Sequence, residues 1–367
     1  MARLRAGNVS VLTGTRVVAP WGDDALIAET ASETLTARYR CLILAPGARE
    51  LFLPFPGWTL PGVMGAGGLQ ALVKGGLPIA GKRVVVAGSG PLLLAVGAYL
   101  SDHGARVLTI AEQAPWRQLA AFARPLVHDP TKLWQAGRLG WSLRGTPVHA
   151  DAWVERAHGV DHLEAVTLRQ RGRTRTLACD YLACGFGLVP NLELPLAFGC
   201  AVRDGVVWVD RWQRTSRAGV SCAGEATGVG GLELSLLEGQ IAGLTAAAPM
   251  RTHAVQAEGE ALLRRRARAR RFAAALERCF APRDELRALP TDDTVVCRCE
   301  DVVFGAVWYD TDGRDAKLQT RCGMGPCQGR VCGAALTFLC GWSPDTVRPP
   351  VTNARIGSLA EIGTGSS

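Results

Sequence analysis

Short runs of alternating apolar and polar positions open the chain: Val9-Ser-Val-Leu, Thr15-Arg-Val-Val, Ala25-Leu-Ile-Ala and Thr34-Leu-Thr-Ala. A period of two belongs to half-buried strands, and Gly14 and Trp21-Gly-Asp-Asp supply turns, so the first 45 residues read as a β-meander. The pattern then changes. Cys41-Leu-Ile-Leu-Ala and Val84-Val-Val-Ala are unbroken apolar runs, as expected of strands buried on both faces of a parallel sheet. Each runs into a glycine turn, Pro46-Gly47-Ala48 and Gly88-Ser89-Gly90.

Between these strands lie a Pro/Gly-rich connector at 54–62 and a small-residue helix, and residues 83–112 form a strand–helix–strand unit. A helix and strands follow over 120–180, ending on Asp180-Tyr-Leu-Ala-Cys-Gly-Phe-Gly187. Gly205-Val-Val-Trp-Val-Asp210 and Gly219-Val-Ser-Cys-Ala-Gly-Glu225 read as strands, with helices from Leu232 and over 254–279. The tail after Pro349 reads as irregular. Strands alternating with helices through glycine turns predict an α/β fold.

Composition narrows the class. With 48% hydrophobic and 20% charged residues over 367 positions, the chain buries a core, and disorder is excluded. The net charge of +8 rests almost wholly on arginine. The arginine run at 264–271 reads as a solvated helix face or an interface with an acidic partner, because no aromatic residues interleave with it as a nucleic-acid surface requires. No apolar stretch reaches the roughly 20 residues of a membrane span, and no secretory signal opens the chain. These features predict a cytoplasmic protein.

Three constellations carry chemistry. In the first, Val84-Val-Val-Ala-Gly88-Ser-Gly90-Pro leads into a helix, and the next strand ends on Glu112, 22 residues beyond Gly90. The glycines let the backbone turn beside a pyrophosphate, and the carboxylate is placed for a ribose hydroxyl. The bland alternative is a Rossmann-like unit without a ligand. In the second, a strand delivers Gly224 and Glu225 at a glycine-rich turn before a helix, a geometry that suits a phosphate and a polyol hydroxyl or only a tight connection. The third is the most specific: Cys297-Arg-Cys299 and Cys322-Gly-Met-Gly-Pro-Cys327 bring four thiolates as two pairs, fit for a [2Fe–2S] cluster or a tetrahedral zinc. Arg298, Arg321 and Arg330 lie close in sequence, which suits a negatively charged cluster. Cys332 and Cys340 read as helix-core residues. The six histidines show no ligand-spaced pair, and no catalytic residue can be named.

In order along the chain, these residues resemble one family. Leu42-Ile-Leu-Ala-Pro-Gly-Ala-Arg-Glu is similar to the Ala-Thr-Gly strand of flavoproteins with two dinucleotide-binding domains. Leu53-Pro-Phe-Pro-Gly-Trp-Thr-Leu-Pro-Gly-Val-Met resembles the connector in α subunits of opine oxidases, hydroxyproline dehydrogenases and hydrogen cyanide synthase. Ala87-Gly-Ser-Gly-Pro-Leu-Leu-Leu, Gly185-Phe-Gly-Leu-Val-Pro-Asn and Cys222-Ala-Gly-Glu-Ala-Thr-Gly look like that family too, and Thr320-Arg-Cys-Gly-Met-Gly-Pro-Cys-Gln-Gly-Arg-Val-Cys resembles its bacterioferritin-associated-ferredoxin-like [2Fe–2S] module. Pro46 stands where the family has threonine, and the segment between Cys299 and Cys322 is short.

The resemblance implies a two-dinucleotide-binding-domain, Rossmann-like flavoprotein fold with a small helical [2Fe–2S] module. It divides the chain into an FAD-type domain (1–75 and 190–250), an NAD-type domain (76–189), an Arg-rich helical linker (251–290), the module (291–345) and a tail (346–367). It places FAD at Gly47, Gly224 and Glu225, NAD or another adenine nucleotide at Gly88, Gly90 and Glu112, and the cluster on Cys297, Cys299, Cys322 and Cys327. The strand and Gly-x-Gly-x-x-Gly turn that hold the ADP half of FAD are not found before Cys41, so the FAD-type domain is expected to be incomplete at its N-terminus. The implied function is a redox subunit of an amine- or opine-type dehydrogenase, working with a flavoprotein β subunit that takes the amine or amino acid. Two alternatives stay open: a stand-alone NAD(P)H-dependent reductase, and a non-catalytic nucleotide-binding assembly subunit with a zinc or cluster site.

Overall fold

The alternating segments at the N-terminus form three antiparallel strands, β1 (Arg16–Trp21), β2 (Ala25–Glu29) and β3 (Thr34–Arg38). Val18, Ala19 and Ile27 bury one face of this sheet, and Gly22, at φ 60°, makes the first turn. The expected strand at Val9-Ser-Val-Leu does not form: these side chains stay exposed, so no burial supports an extended pairing there. β4 (Leu42–Leu44) follows.

The computed structural model describes residues 7, 9–126, 130–247, 253–308, 313–342 and 347–364. The chain forms two compact units, one from residues 1–48, 190–270 and 346–367, the other from residues 49–189 and 271–345. The boundary at 48/49 differs from the expected one near residue 75, because the apolar connector is core of the second unit: Leu53 and Phe55 are fully buried there.

The second unit is built on a parallel sheet in the order β5 (Val63–Gly65), β12 (Tyr181–Gly185), β6 (Arg83–Gly88), β7 (Arg106–Glu112), β8 (Val148–Ala150). Alternate residues of β6 serve opposite faces. Val84 and Val86 pack under helices α1 (Ala66–Lys74), α2 (Leu92–Asp102) and, through Leu139 and Leu143, the end of α4 (Pro130–Ser142). Between α2 and α4 runs α3 (Trp116–Leu126). Val85 and Ala87 face an antiparallel layer of β9 (Ala152–His158), β10 (Ala165–Gln170) and β11 (Arg173–Ala178). Gly88 must be glycine: a Cβ there would lie 1.8 Å from the Gly185 carbonyl oxygen.

Back in the first unit, β13 (Val220–Cys222) pairs in parallel with β4 and leads to α5 (Gly231–Ala246). The long α6 (His253–Phe280) contains the arginine run. Part of that run turns inward instead of facing solvent: Arg266 and Arg270 hold the fully buried Glu238.

The cysteine module lies in the second unit. A hairpin of β14 (Val295–Cys297) and β15 (Val302–Val303), with α7 (Gly313–Thr320) and α8 (Cys332–Cys340), closes around Val296, Val307, Leu336 and Leu339. The tail, expected to be irregular, carries a helix, α9 (Ile356–Thr364). Its Ser358 hydroxyl donates 2.9 Å to the buried Glu29 carboxylate, which also accepts the Arg355 N–H. Those bonds fasten the tail helix to β2. Among the described residues, no helix is long and apolar enough to cross a membrane.

Candidate functional site

Five thiols gather in the cysteine module. Cys297 ends β14 and Cys332 begins α8, and together with Cys322 their sulfur atoms lie within 4.8 Å of one another, all buried. Cys332 was expected in the helix core; its buried position agrees, but its thiol joins this triangle. Cys299, exposed, and Cys327, half-buried, share a thiol–thiol hydrogen bond. The loop between Cys322 and Cys327 can pass this closely because Gly325 has no side chain: a Cβ there would sit 2.2 Å from Cys299 Cβ.

The electrostatics favour negative sulfur at Cys327. Against burial, which raises it, the N–H groups of Val331, Gly329 and Arg330 and the Cys299 thiol hold the Cys327 thiol below its ordinary value. The hydrogen bond that the Cys332 thiol gives to Cys322, together with burial, pushes Cys332 up. The three neighbouring arginines are each engaged: Arg321 pairs with Glu300 at 2.8 Å, Arg298 lies 5.3 Å over the Trp58 ring, and Arg330 reaches the Cys327 carbonyl at 3.3 Å. A donor set of thiols alone, buried on one side and served by backbone N–H groups, fits both an iron–sulfur cluster and zinc. Cys340 is not in the group of three.

The glycine turn of β6 stands at the N-terminal end of α2. Gly90, at φ 105°, has nothing within 4 Å of where a Cβ would be, which leaves open space at the turn. Glu112 ends β7 and points back at this turn, accepting the Gly90 N–H at 2.7 Å and the Ala114 N–H at 2.8 Å. The Ser89 N–H is taken by the Gly185 carbonyl at 2.8 Å, and Pro91 has none to give. The residues therefore fit the ribose end of an adenine nucleotide through Glu112 better than they fit its phosphates through backbone donors.

Sequence reasoning missed what covers this turn. The Ser89 hydroxyl donates to the Phe280 carbonyl at 2.8 Å. The Gln113 amide donates at 3.0 Å to Ser89 Oγ and at 3.0 Å to the Ala281 carbonyl, and accepts the Arg283 N–H at 3.2 Å. No local pattern could announce pairings between residues 168 positions apart. Glu50 was missed as well; its carboxylate accepts the Gly67 and Gly68 N–H groups at 2.7 and 3.1 Å at the start of α1.

Burial pushes the Glu112 carboxyl from its ordinary 4.5 up to about 7, against the Ala114 and Gly90 N–H groups. The folded protein thus binds this proton more tightly than the unfolded chain does. The group's contribution to stability is complete below pH 4.5 and is lost as the pH rises to about 7. A shift of this size is worth roughly 3 kcal/mol. Glu112→Gln removes the ionisation, so its unfolding free energy is expected to change less between about pH 5 and about pH 8 than that of the parent. Equal slopes in urea titrations of the two proteins would refute this.

In the first unit, Gly224, at φ 81°, opens a turn after β13, and its N–H donates to Glu238 at 3.1 Å. Glu225 accepts the Gly230 and Gly231 N–H groups at 3.1 and 2.9 Å, so its carboxylate sits at the start of α5. Gly47, at φ 71°, has open space beside it, and its carbonyl accepts the Asn191 N–H at 3.0 Å. Among the described strands, β4 pairs with β13 alone. This arrangement fits the polyol portion of a flavin cofactor through Glu225, and the Gly224 turn after β13 is the glycine turn beside β4 among the described strands.

Comparison with known proteins agrees with this architecture. The profile of the pyridine nucleotide-disulphide oxidoreductase family matches residues 1–259. The chain is 32% identical to the HcnB subunit of hydrogen cyanide synthase from Pseudomonas aeruginosa over 354 residues, 89% of this chain and 75% of that protein. It is 33% identical to an opine oxidase subunit of Rhizobium meliloti over 362 residues, 89% of this chain and 77% of that one. Among solved structures, L-proline dehydrogenase from P. horikoshii superposes with a TM-score of 0.62 at 18% identity, covering 94% of this chain and 64% of that chain. Thioredoxin reductase from T. acidophilum superposes at 0.52 with 21% identity, covering 68% and 78%. At these identities the structural likenesses speak to fold alone.

Proposed function

The chain belongs to the pyridine nucleotide-disulphide oxidoreductase family, in the group that includes subunits of opine oxidase and of hydrogen cyanide synthase, and on that premise we propose that it is the electron-transfer subunit of a heteromeric amine- or opine-type dehydrogenase or oxidase. Cys297, Cys299, Cys322 and Cys327, with Cys332 beside them, would hold a [2Fe–2S] cluster, which when bound takes up and releases one electron at a time. The observation that carries this reading is the gathering of the five thiols in one module. Burial of Cys297, Cys322 and Cys332 keeps water from one side of the centre, while exposed Cys299 leaves the other side open for electron exchange. The N–H groups aimed at Cys327 stabilise charge there and tune the centre's potential.

Glu225 and Gly224 would orient a flavin, and Glu112 the ribose of an adenine nucleotide. The amine or amino acid is taken by a separate flavoprotein subunit, which fits the naming of both relatives as subunits. Anaerobic iron–sulfide reconstitution tests the reading: about two irons per chain are expected, with a paramagnetic signal after reduction. Zinc in place of iron, with no flavin, would favour a non-catalytic assembly subunit. Dye reduction by the isolated chain with NADH alone would favour a stand-alone reductase.

A further inference from the structure

We propose that the groove between β8–β9 and the β10–β11 hairpin is a docking site for an extended acidic segment of a partner polypeptide. The groove encloses about 510 Å³. The register sets Leu168 opposite Arg175 and Gln170 opposite Arg173, so these four side chains share one face of the hairpin. Arg171 begins the hairpin turn, at φ 48°. The floor is Thr109, Ala152 and Leu168, all buried, and the Thr109 hydroxyl is already spent on the Pro147 carbonyl at 3.0 Å. What the floor offers is apolar contact.

The rim is cationic and uncompensated. Arg171, Arg173 and Arg175 are exposed, His149 lies across from them, and no carboxylate lines the groove. Among the described residues none of the three arginines forms an ion pair. Arg169, on the opposite face of the same hairpin, pairs with Glu155. The chain therefore neutralises one face and leaves the other charged.

The arrangement selects a polypeptide. Side chains two residues apart on a strand stand about 7 Å apart. Arg173 and Arg175 keep that repeat, and an extended segment with acidic residues at alternate positions keeps it too. Its intervening apolar side chains would meet Leu168 and Ala152 while its carboxylates take the guanidinium groups in pairs of hydrogen bonds. The proposal stands on the groove and does not depend on the oxidase reading.

The test uses the full chain and a fluorescently labelled hexapeptide of alternating Glu and Val, followed by anisotropy. Binding is expected to weaken at least about tenfold in R173E/R175E and several-fold when NaCl rises from about 50 to about 300 mM. R264E/R268E, with the same charge change on the exposed side of α6, is expected to keep the parent affinity within about twofold. The Gln/Val peptide should not compete. If R173E/R175E loses its far-ultraviolet circular dichroism, R173Q/R175Q takes its place. Equal weakening in the α6 variant, unchanged affinity in the groove variants, or displacement of the peptide by citrate at matched carboxylate concentration would each overturn the proposal.

Discussion

Replacing Cys297 by serine is expected to abolish iron–sulfide incorporation, taking bound iron from about two per chain to background. Cys297 belongs both to the Cys-x-Cys pair and to the buried triangle with Cys322 and Cys332. A serine hydroxyl is a poor ligand for iron, and here it would also be buried against Val296, Val302 and Leu336. Cys332→Ser is expected to lose the cluster too, because its thiol lies within 4.8 Å of Cys297 and Cys322. Cys340→Ser, at the other end of α8, is expected to keep it. Iron and acid-labile sulfide assays on the three variants, after one reconstitution protocol, decide the matter. Full iron in Cys332→Ser would show that Cys297, Cys299, Cys322 and Cys327 hold the cluster without Cys332.

That contrast shows what a sequence can reveal. Cys-x-Cys and Cys-x4-Cys announce themselves because ligands close in sequence must be close in space. Cys332 stands in a second Cys-x4-Cys with Cys327, so its nearness to that thiol was legible too, whereas its distance from Cys297 is fixed by how β14 and α8 pack. The same division runs through the nucleotide elements. The apolar run Val84-Val-Val-Ala and the glycines after it specify a buried parallel strand and its turn, because Gly88 alone fits against the Gly185 carbonyl. The destination of the Glu112 carboxylate, and the tie from Ser89 and Gln113 to residues 280–283, depend on long-range packing that leaves no periodic trace. The tail helix α9 was hidden for a related reason: its anchor, Glu29, lies more than three hundred residues earlier.

The arginine run on α6 was the feature most misjudged from sequence, and it yields the largest expected effect on stability. Glu238 is fully buried and accepts five hydrogen bonds: Gly224 N–H at 3.1 Å, Thr227 Oγ1 at 2.7 Å, Arg266 Nε at 3.0 Å, and Arg270 Nε and Nη2 at 3.1 and 2.6 Å. Glu238→Ala removes the acceptor and leaves two guanidinium groups and two polar hydrogens facing a void. Breaking such a buried pair from one side costs about 3–5 kcal/mol. Urea unfolding should show that loss, and a change below about 1 kcal/mol would mean that the two arginines swing out to water at little cost. The triple variant Glu238→Leu, Arg266→Met, Arg270→Leu sharpens the point. Exchanging a whole buried ion network for apolar groups of similar size is often neutral, so this variant is expected to recover most of the stability lost in Glu238→Ala. It cannot, however, hold Gly224 N–H and Thr227, which frame the turn that carries Glu225. Its flavin content after purification with excess FAD is therefore expected to fall well below that of the parent while its fold persists. Full flavin occupancy in the triple variant would show that the turn holds its shape without Glu238, and would reduce the network to a fastening between α5 and α6.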